Sequence, residues 1–156
     1  MIKKRKILIV IANYYSDISN SLLDSAKKTL IKPFKLRVIT VPGVFEMPVI
    51  ISKNIKKFDA FIALGCVIKG ETPHFDFISK ASIEAIIKLS VENKKPIGNG
   101  IITCLNMKQA IARKNNKGKE AANAVNSVLD ELEVDDKDML VDFEWNLNST
   151  TKTTQE

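Results

Sequence analysis

Nine consecutive residues, Ala60 to Ile68 (AFIALGCVI), carry no charge and show no polar alternation. The run is too short for a bilayer, which needs roughly 18 apolar residues or more, and too uniform for a strand with one wet face. It suits a strand buried on both sides, as in a parallel sheet. Residues 6–12 (KILIVIA) form a second such run, Leu36 to Val41 a third, ended by Pro42-Gly43, and Pro96 to Thr103 a fourth. The intervening stretches have helical spacing. Ile18, Leu22, Ala26 and Leu30 share one face of a helix that Ser16 or Asp17 could cap and Pro33 closes. Glu46 to Lys57 reads as a short helix with Pro48 in its first turn. Residues 76–93 read as a long helix with Ile78, Ala85, Ile86 and Leu89 inward. Two more helices are expected, from Met107 to Lys114 and from Gly118 to Leu132. Strand and helix alternate throughout, which predicts an α/β fold: a parallel sheet of four strands, covered on both faces and joined by right-handed crossovers.

With 156 residues the chain has room for one domain. Residues 1–132 are expected to form it, and residues 133–156 a tail, partly disordered, whose last residues lack any core face. The tail contains one apolar patch, Met139 to Trp145. Basic residues precede the first apolar run, but no small-residue cleavage site follows, so that run is read as a strand rather than a leader. The two cysteines, Cys66 and Cys104, both lie in apolar runs, which suits reduced thiols and a cytoplasmic setting. Their spacing and the single histidine give no metal site. The net charge of +6 comes from lysines spread over the whole chain, without a basic stripe or interleaved aromatics. Nucleic-acid and membrane partners are therefore not expected, whereas anionic small molecules suit the charge.

The candidate chemistry follows the strand ends. Beyond Ile68 comes Lys69-Gly70-Glu71-Thr72-Pro73 and then His74, the only histidine, just before a helix begins. Ligands of open α/β sheets gather at the carboxyl ends of strands, and helix starts attract anions. Amides of Gly70 and Glu71 and the hydroxyl of Thr72 suit a phosphate there. An imidazole titrates near neutrality and can pass protons both ways. At the end of the first strand Asn13-Tyr14-Tyr15 reads, on residues alone, as aromatics closing the core. After the second, Gly43 permits close backbone approach to a ligand, and Glu46 complements a helix dipole or contacts a ligand. The stretch ARKNNKGK, with Arg113 and Lys117, reads either as a solvated basic turn or as an anion clamp.

VIKGETPHFDF, with PGVFEMP before it and NKGKEAA after it, resembles the lumazine synthase family of riboflavin biosynthesis over about Lys6 to Leu132. The resemblance implies a flavodoxin-like three-layer α/β/α sandwich. It implies a transferase that condenses 5-amino-6-(D-ribitylamino)uracil with 3,4-dihydroxy-2-butanone 4-phosphate. The products would be 6,7-dimethyl-8-ribityllumazine, phosphate and water, made without a cofactor or metal. His74 would then be the proton shuttle. Tyr14, where the family usually has a stacking Phe, would cover the pyrimidine together with Asn99. Gly43, Val44, Phe45 and Glu46 would hold the ribityl chain and pyrimidine, Val67 and Ile68 the pyrimidine through main-chain atoms. Gly70, Glu71, Thr72 and Arg113 would bind the phosphate, with Lys117 also contacting substrate. The family builds its sites between subunits, with Asn99, Arg113 and Lys117 coming from the neighbour. A homo-oligomer is thus implied: a pentamer, with a sixty-subunit shell as the alternative and riboflavin synthase as an open question among partners. The loop between Arg113 and Lys117 reads as shorter than in many relatives. A non-catalytic lumazine- or flavin-binding module on the same scaffold is the rival reading.

Overall fold

The computed structural model describes residues 4–134 and 140–145. β1 (Arg5–Ala12), β2 (Phe34–Val41), β3 (Ala60–Ile68) and β4 (Ile97–Cys104) form one parallel sheet in the order β2-β1-β3-β4. The continuous apolar runs become strands because both faces are covered. One face carries Ile7, Ile9, Ile11, Ile62, Leu64 and Ile102 beneath the helices α1 (Ser16–Thr29) and α4 (Met107–Glu133). The other carries Leu8, Val10, Phe61, Ala63 and Ile101 beneath α2 (Met47–Asn54) and α3 (His74–Asn93). This is the expected three-layer α/β/α sandwich, with alternate residues of each strand serving opposite layers.

Several local expectations are corrected. α1 starts at Ser16, but Tyr15 occupies the cap position, and neither Ser16 nor Asp17 caps it through a side chain. Asp17 instead places a negative charge in the first turn. At its other end, α1 is tied by the buried Asn126, whose carbonyl oxygen accepts the Ile31 N–H (3.1 Å) and whose amide donates to the Thr29 carbonyl (3.0 Å). A single 3-10 turn, Val44–Glu46, leads into α2, with Pro48 in its first turn. α3 begins two residues earlier than its apolar spacing suggests, so His74 is its first residue.

The largest correction concerns the C-terminal half. Residues 107–133 are one helix of 27 residues, and the basic stretch around Arg113 is a continuous part of it. Asn115, Asn116 and Gly118 look like breakers in isolation. Gly118, however, lies against the backbone of Leu22, where any Cβ would overlap the Leu22 carbonyl, and Ser25 donates its hydroxyl to the Asn115 carbonyl at 2.5 Å. Packing of α1 on α4 thus overrides the propensity. Arg113 and Lys117 sit one turn apart on the same helix, with no loop between them. Most of the tail lies outside the described residues. Of the apolar patch, residues 140–145 are described, exposed and outside regular structure, while Met139 lies outside the described residues.

Candidate active site

β1 connects to β2 on one side, while β3 and β4 lie on the other, so the chain reverses direction across the sheet between β1 and β3. Crevices at such switch points, outside the carboxyl ends of the strands, are where open α/β sheets bind ligands. Pairing between β1 and β3 runs only from Ile7↔Ala60 to Ile11↔Leu64, whereas β3 continues to Ile68 alongside β4. Residues 65–68 thus have a strand on one side only. On the β1 side the main-chain groups of Ile68 have no strand partner and border the crevice, while those of the adjacent Val67 point toward β4.

Three loops meet around this opening. After β1, Tyr14 is 76% exposed, its ring edge-on to Tyr15 with centroids 4.8 Å apart. The two tyrosines divide the work that the sequence could not apportion. Tyr15 packs on the core, where burial pushes its phenol above the ordinary value of 10, and Tyr14 projects. After β2, the Val44 side chain fills the space that a Cβ on Gly65 would occupy, together with Ala12 and Met47. Gly65 in β3 therefore lets the 43–46 turn settle directly on the sheet end, a role that sequence reading missed. Phe45 is 64% exposed and Glu46 is exposed, its carboxylate folded back near Gly43. After β3, the Glu71, Thr72 and His74 side chains are exposed, and the Thr72 hydroxyl accepts the His74 N–H at 3.4 Å. Among the described residues, the N–H groups of Gly70, Glu71 and Thr72 donate to no protein acceptor. They lie just before the first turn of α3, which is an arrangement suited to an anion.

Asn99, Arg113 and Lys117 are placed differently. Asn99 sits mid-strand on β4, opposite Ala63, and its side-chain oxygen accepts the Ile101 N–H at 3.0 Å. Cys104 at the strand's carboxyl end is five steps further along, roughly 16 Å at 3.3 Å per residue. Asn99 cannot join the crevice of its own chain. Arg113 lies in the second turn of α4 and donates from Nη1 to the Thr103 carbonyl (3.3 Å) at the edge strand. Its position is set by a pair of reciprocal bonds at the start of α4. Asn106 accepts the Gln109 N–H (2.9 Å), while Gln109 accepts the Leu105 N–H (2.8 Å). Lys117 is half-buried and about 6 Å further along the helix, away from the carboxyl edge. Among the described residues, neither Arg113 nor Lys117 pairs with a carboxylate. All three residues lie on the β4 side of the molecule, and among the described residues none of them is hydrogen-bonded to His74 or to the 70–72 loop. Among the described residues no three His, Cys, Asp or Glu side chains gather as a metal site would.

Comparison with known proteins gives these features a context. Residues 4–133 match the family model of 6,7-dimethyl-8-ribityllumazine synthase. The chain is similar to the 6,7-dimethyl-8-ribityllumazine synthase of Methylorubrum extorquens (strain PA1), 42% identical over 136 residues that cover 80% of this chain and 79% of the relative. It is also similar to proteins of that name from Bartonella henselae, 44% identical over 78% of this chain and 84% of the relative, and from Blochmanniella pennsylvanica, 38% identical over 84% and 90%. On the extent of these matches, the chain belongs to the 6,7-dimethyl-8-ribityllumazine synthase family.

Proposed function

We propose that this chain catalyses the condensation of 5-amino-6-(D-ribitylamino)uracil with 3,4-dihydroxy-2-butanone 4-phosphate, giving 6,7-dimethyl-8-ribityllumazine, phosphate and water. The observation that carries this reading is the convergence at one switch point of three chemically distinct loops, with His74 on the first turn of α3. The aromatic face of Tyr14 covers the pyrimidine. The 43–46 turn, through Gly43, Val44, Phe45 and Glu46, takes the ribityl chain, and the strand end at Val67 and Ile68, with the free main-chain groups of Ile68, takes the pyrimidine's polar atoms. Gly70, Glu71 and Thr72 present unengaged amides and a hydroxyl to the phosphate. The amine attacks the ketone, phosphate leaves by elimination, and a second imine closes the ring. His74 accepts and returns the protons that these steps release and require. Much of the acceleration comes from holding two reactants together, an effect that can reach about 7 kcal/mol or more.

A complete site needs a second chain. Arg113 is suited to a planar, multidentate grip on phosphate, Lys117 to a point-charge contact and Asn99 to the pyrimidine side. All lie on the β4 flank, and we take a neighbouring subunit to supply them, as the family resemblance implies. We take the assembly to be a pentameric ring, with a sixty-subunit shell as the alternative, acting in the cytoplasm.

The test is lumazine formation, followed optically against an enzyme-free blank, with wild-type protein and His74→Ala. General acid–base catalysis is ordinarily worth about 10²- to 10⁴-fold. The imidazole is exposed and, among the described residues, no side chain orients it, so the loss should fall near or below the lower bound, about 10- to 100-fold. A wild-type rate equal to the blank would overturn the proposed activity.

A further inference from the structure

The segment after α4 lies beyond the family match, which ends at residue 133. Its described part, residues 140–145, reads LVDFEW. Leu140, Val141, Phe143 and Trp145 are 70–86% exposed, and Asp142 and Glu144 lie between them. So much apolar surface on six residues is a mark of an unsatisfied docking element.

An apolar groove lies at the other end of the sheet from the candidate active site. It holds about 350 Å³ between the start of β4 and α4, walled by Ile97, Ala124, Val128 and Leu132 and rimmed by Lys94 and Lys95. Lys95 donates its ammonium to the Ile55 carbonyl at 2.7 Å, while the Lys94 side chain pairs with no carboxylate among the described residues. The exit of the chain from α4 is fixed beside this groove. Arg5 on β1 holds Asp130 (2.6 Å) and Glu133 (2.9 and 3.1 Å), and Leu132 between them is itself part of the groove wall. Five residues separate Val134 from Leu140, so the two can lie up to about 20–22 Å apart at 3.3–3.6 Å per step.

We propose that residues 140–145 dock as an extended segment in the groove of their own chain. In an extended segment Val141, Phe143 and Trp145 share one side and Asp142 and Glu144 the other. The first set enters the groove and the acidic pair stays on the solvent side, within reach of the long Lys94 side chain at the rim. The short tether favours the chain's own groove over another's, and the charges match across the rim.

Trp145 is the only tryptophan in the sequence, so it reports directly on docking in the full-length protein. The expected result is blue-shifted emission, with acrylamide quenching several-fold weaker than in the urea-unfolded chain. Val128→Asp, at a position 42% exposed, and Lys94→Glu should each restore strong quenching, with far-UV circular dichroism unchanged. Quenching of the wild-type protein as strong as in the unfolded chain would overturn the proposal, as would protection indifferent to both substitutions. Val128→Asp chains co-refolded with Trp145→Phe chains complete the test. Emission that stays solvent-exposed supports docking within the chain. Recovered protection would assign the groove to a second copy's segment and overturn docking in cis.

Discussion

At the scale of single residues, placement separates reactive groups from structural ones. His74 is exposed on the first turn of α3 and packs on nothing in the core, so His74→Ala should leave the thermal midpoint nearly unchanged, within about 0.5 kcal/mol, while activity falls. Cys66 is the opposite case. It lies 8% exposed under α1 and α4, and burial, with Cys104 close by, pushes its thiol from the usual 9 up to about 12. A folded-state value above the unfolded one favours folding at pH below 9 and loses that contribution as pH rises from 9 to about 12. Urea unfolding at about pH 8 and about pH 10.5 should show a loss of stability in the wild type that is smaller in Cys66→Ala. The same division explains what the sequence could reveal of the site. GETPHFDF and PGVFE could be read because those residues stand in short loops at strand ends, where neighbours in sequence are neighbours in space. The contribution of Gly65 could not, since it depends on Val44 and Met47 arriving from another loop.

At the scale of elements, the strands were legible and the second half of the helical layer was not. An uninterrupted apolar run admits one interpretation in a chain that alternates with helices, and β3 was read with its observed limits, Ala60–Ile68. α4 was read as two helices because Asn115, Asn116 and Gly118 are poor helix formers locally. Gly118 is tolerated, and required, because α1 crosses at that point with its Leu22 backbone in contact range of any side chain there. The consequence runs against intrinsic propensity. In an exposed helix Gly→Ala stabilises by up to about 1 kcal/mol, whereas Gly118→Ala should destabilise by about 1–3 kcal/mol through overpacking, measurable by urea titration. A stabilised Gly118→Ala protein would mean that α1 and α4 are not in close contact. Asn126 is a second element-scale device invisible in sequence. Its two hydrogen bonds to residues 29 and 31 close the end of α1, and Asn126→Ala should cost about 1–3 kcal/mol by leaving those backbone groups unpaired in a part-buried site.

At the scale of the whole molecule, the two helical layers are unequally covered. α4 buries seven residues of its 27, whereas α3 buries only Ser82 and Ile86 of its 20 and leaves Phe77, Ile87 and Val91 exposed. Met107 and Ile111 at the start of α4 are exposed as well. Apolar surface distributed in this way around the β4 edge is what a subunit interface covers, and Asn99, Arg113 and Lys117, which we propose complete a neighbour's site, lie on that same flank. Sequence reasoning assigned them to a neighbour through family resemblance alone, since spacing along a chain says nothing about which copy completes a site. The direct test is complementation between two damaged chains. His74→Ala and Arg113→Ala proteins, each retaining a tenth or less of the activity alone by this account, are co-refolded and assayed for lumazine formation above the blank. If sites form between subunits, random mixing pairs an intact His74 with a neighbour's intact Arg113 at about a quarter of sites, and roughly that fraction of wild-type activity should return. A mixture no more active than its two components would place His74 and Arg113 in the same chain's site and contradict the shared site.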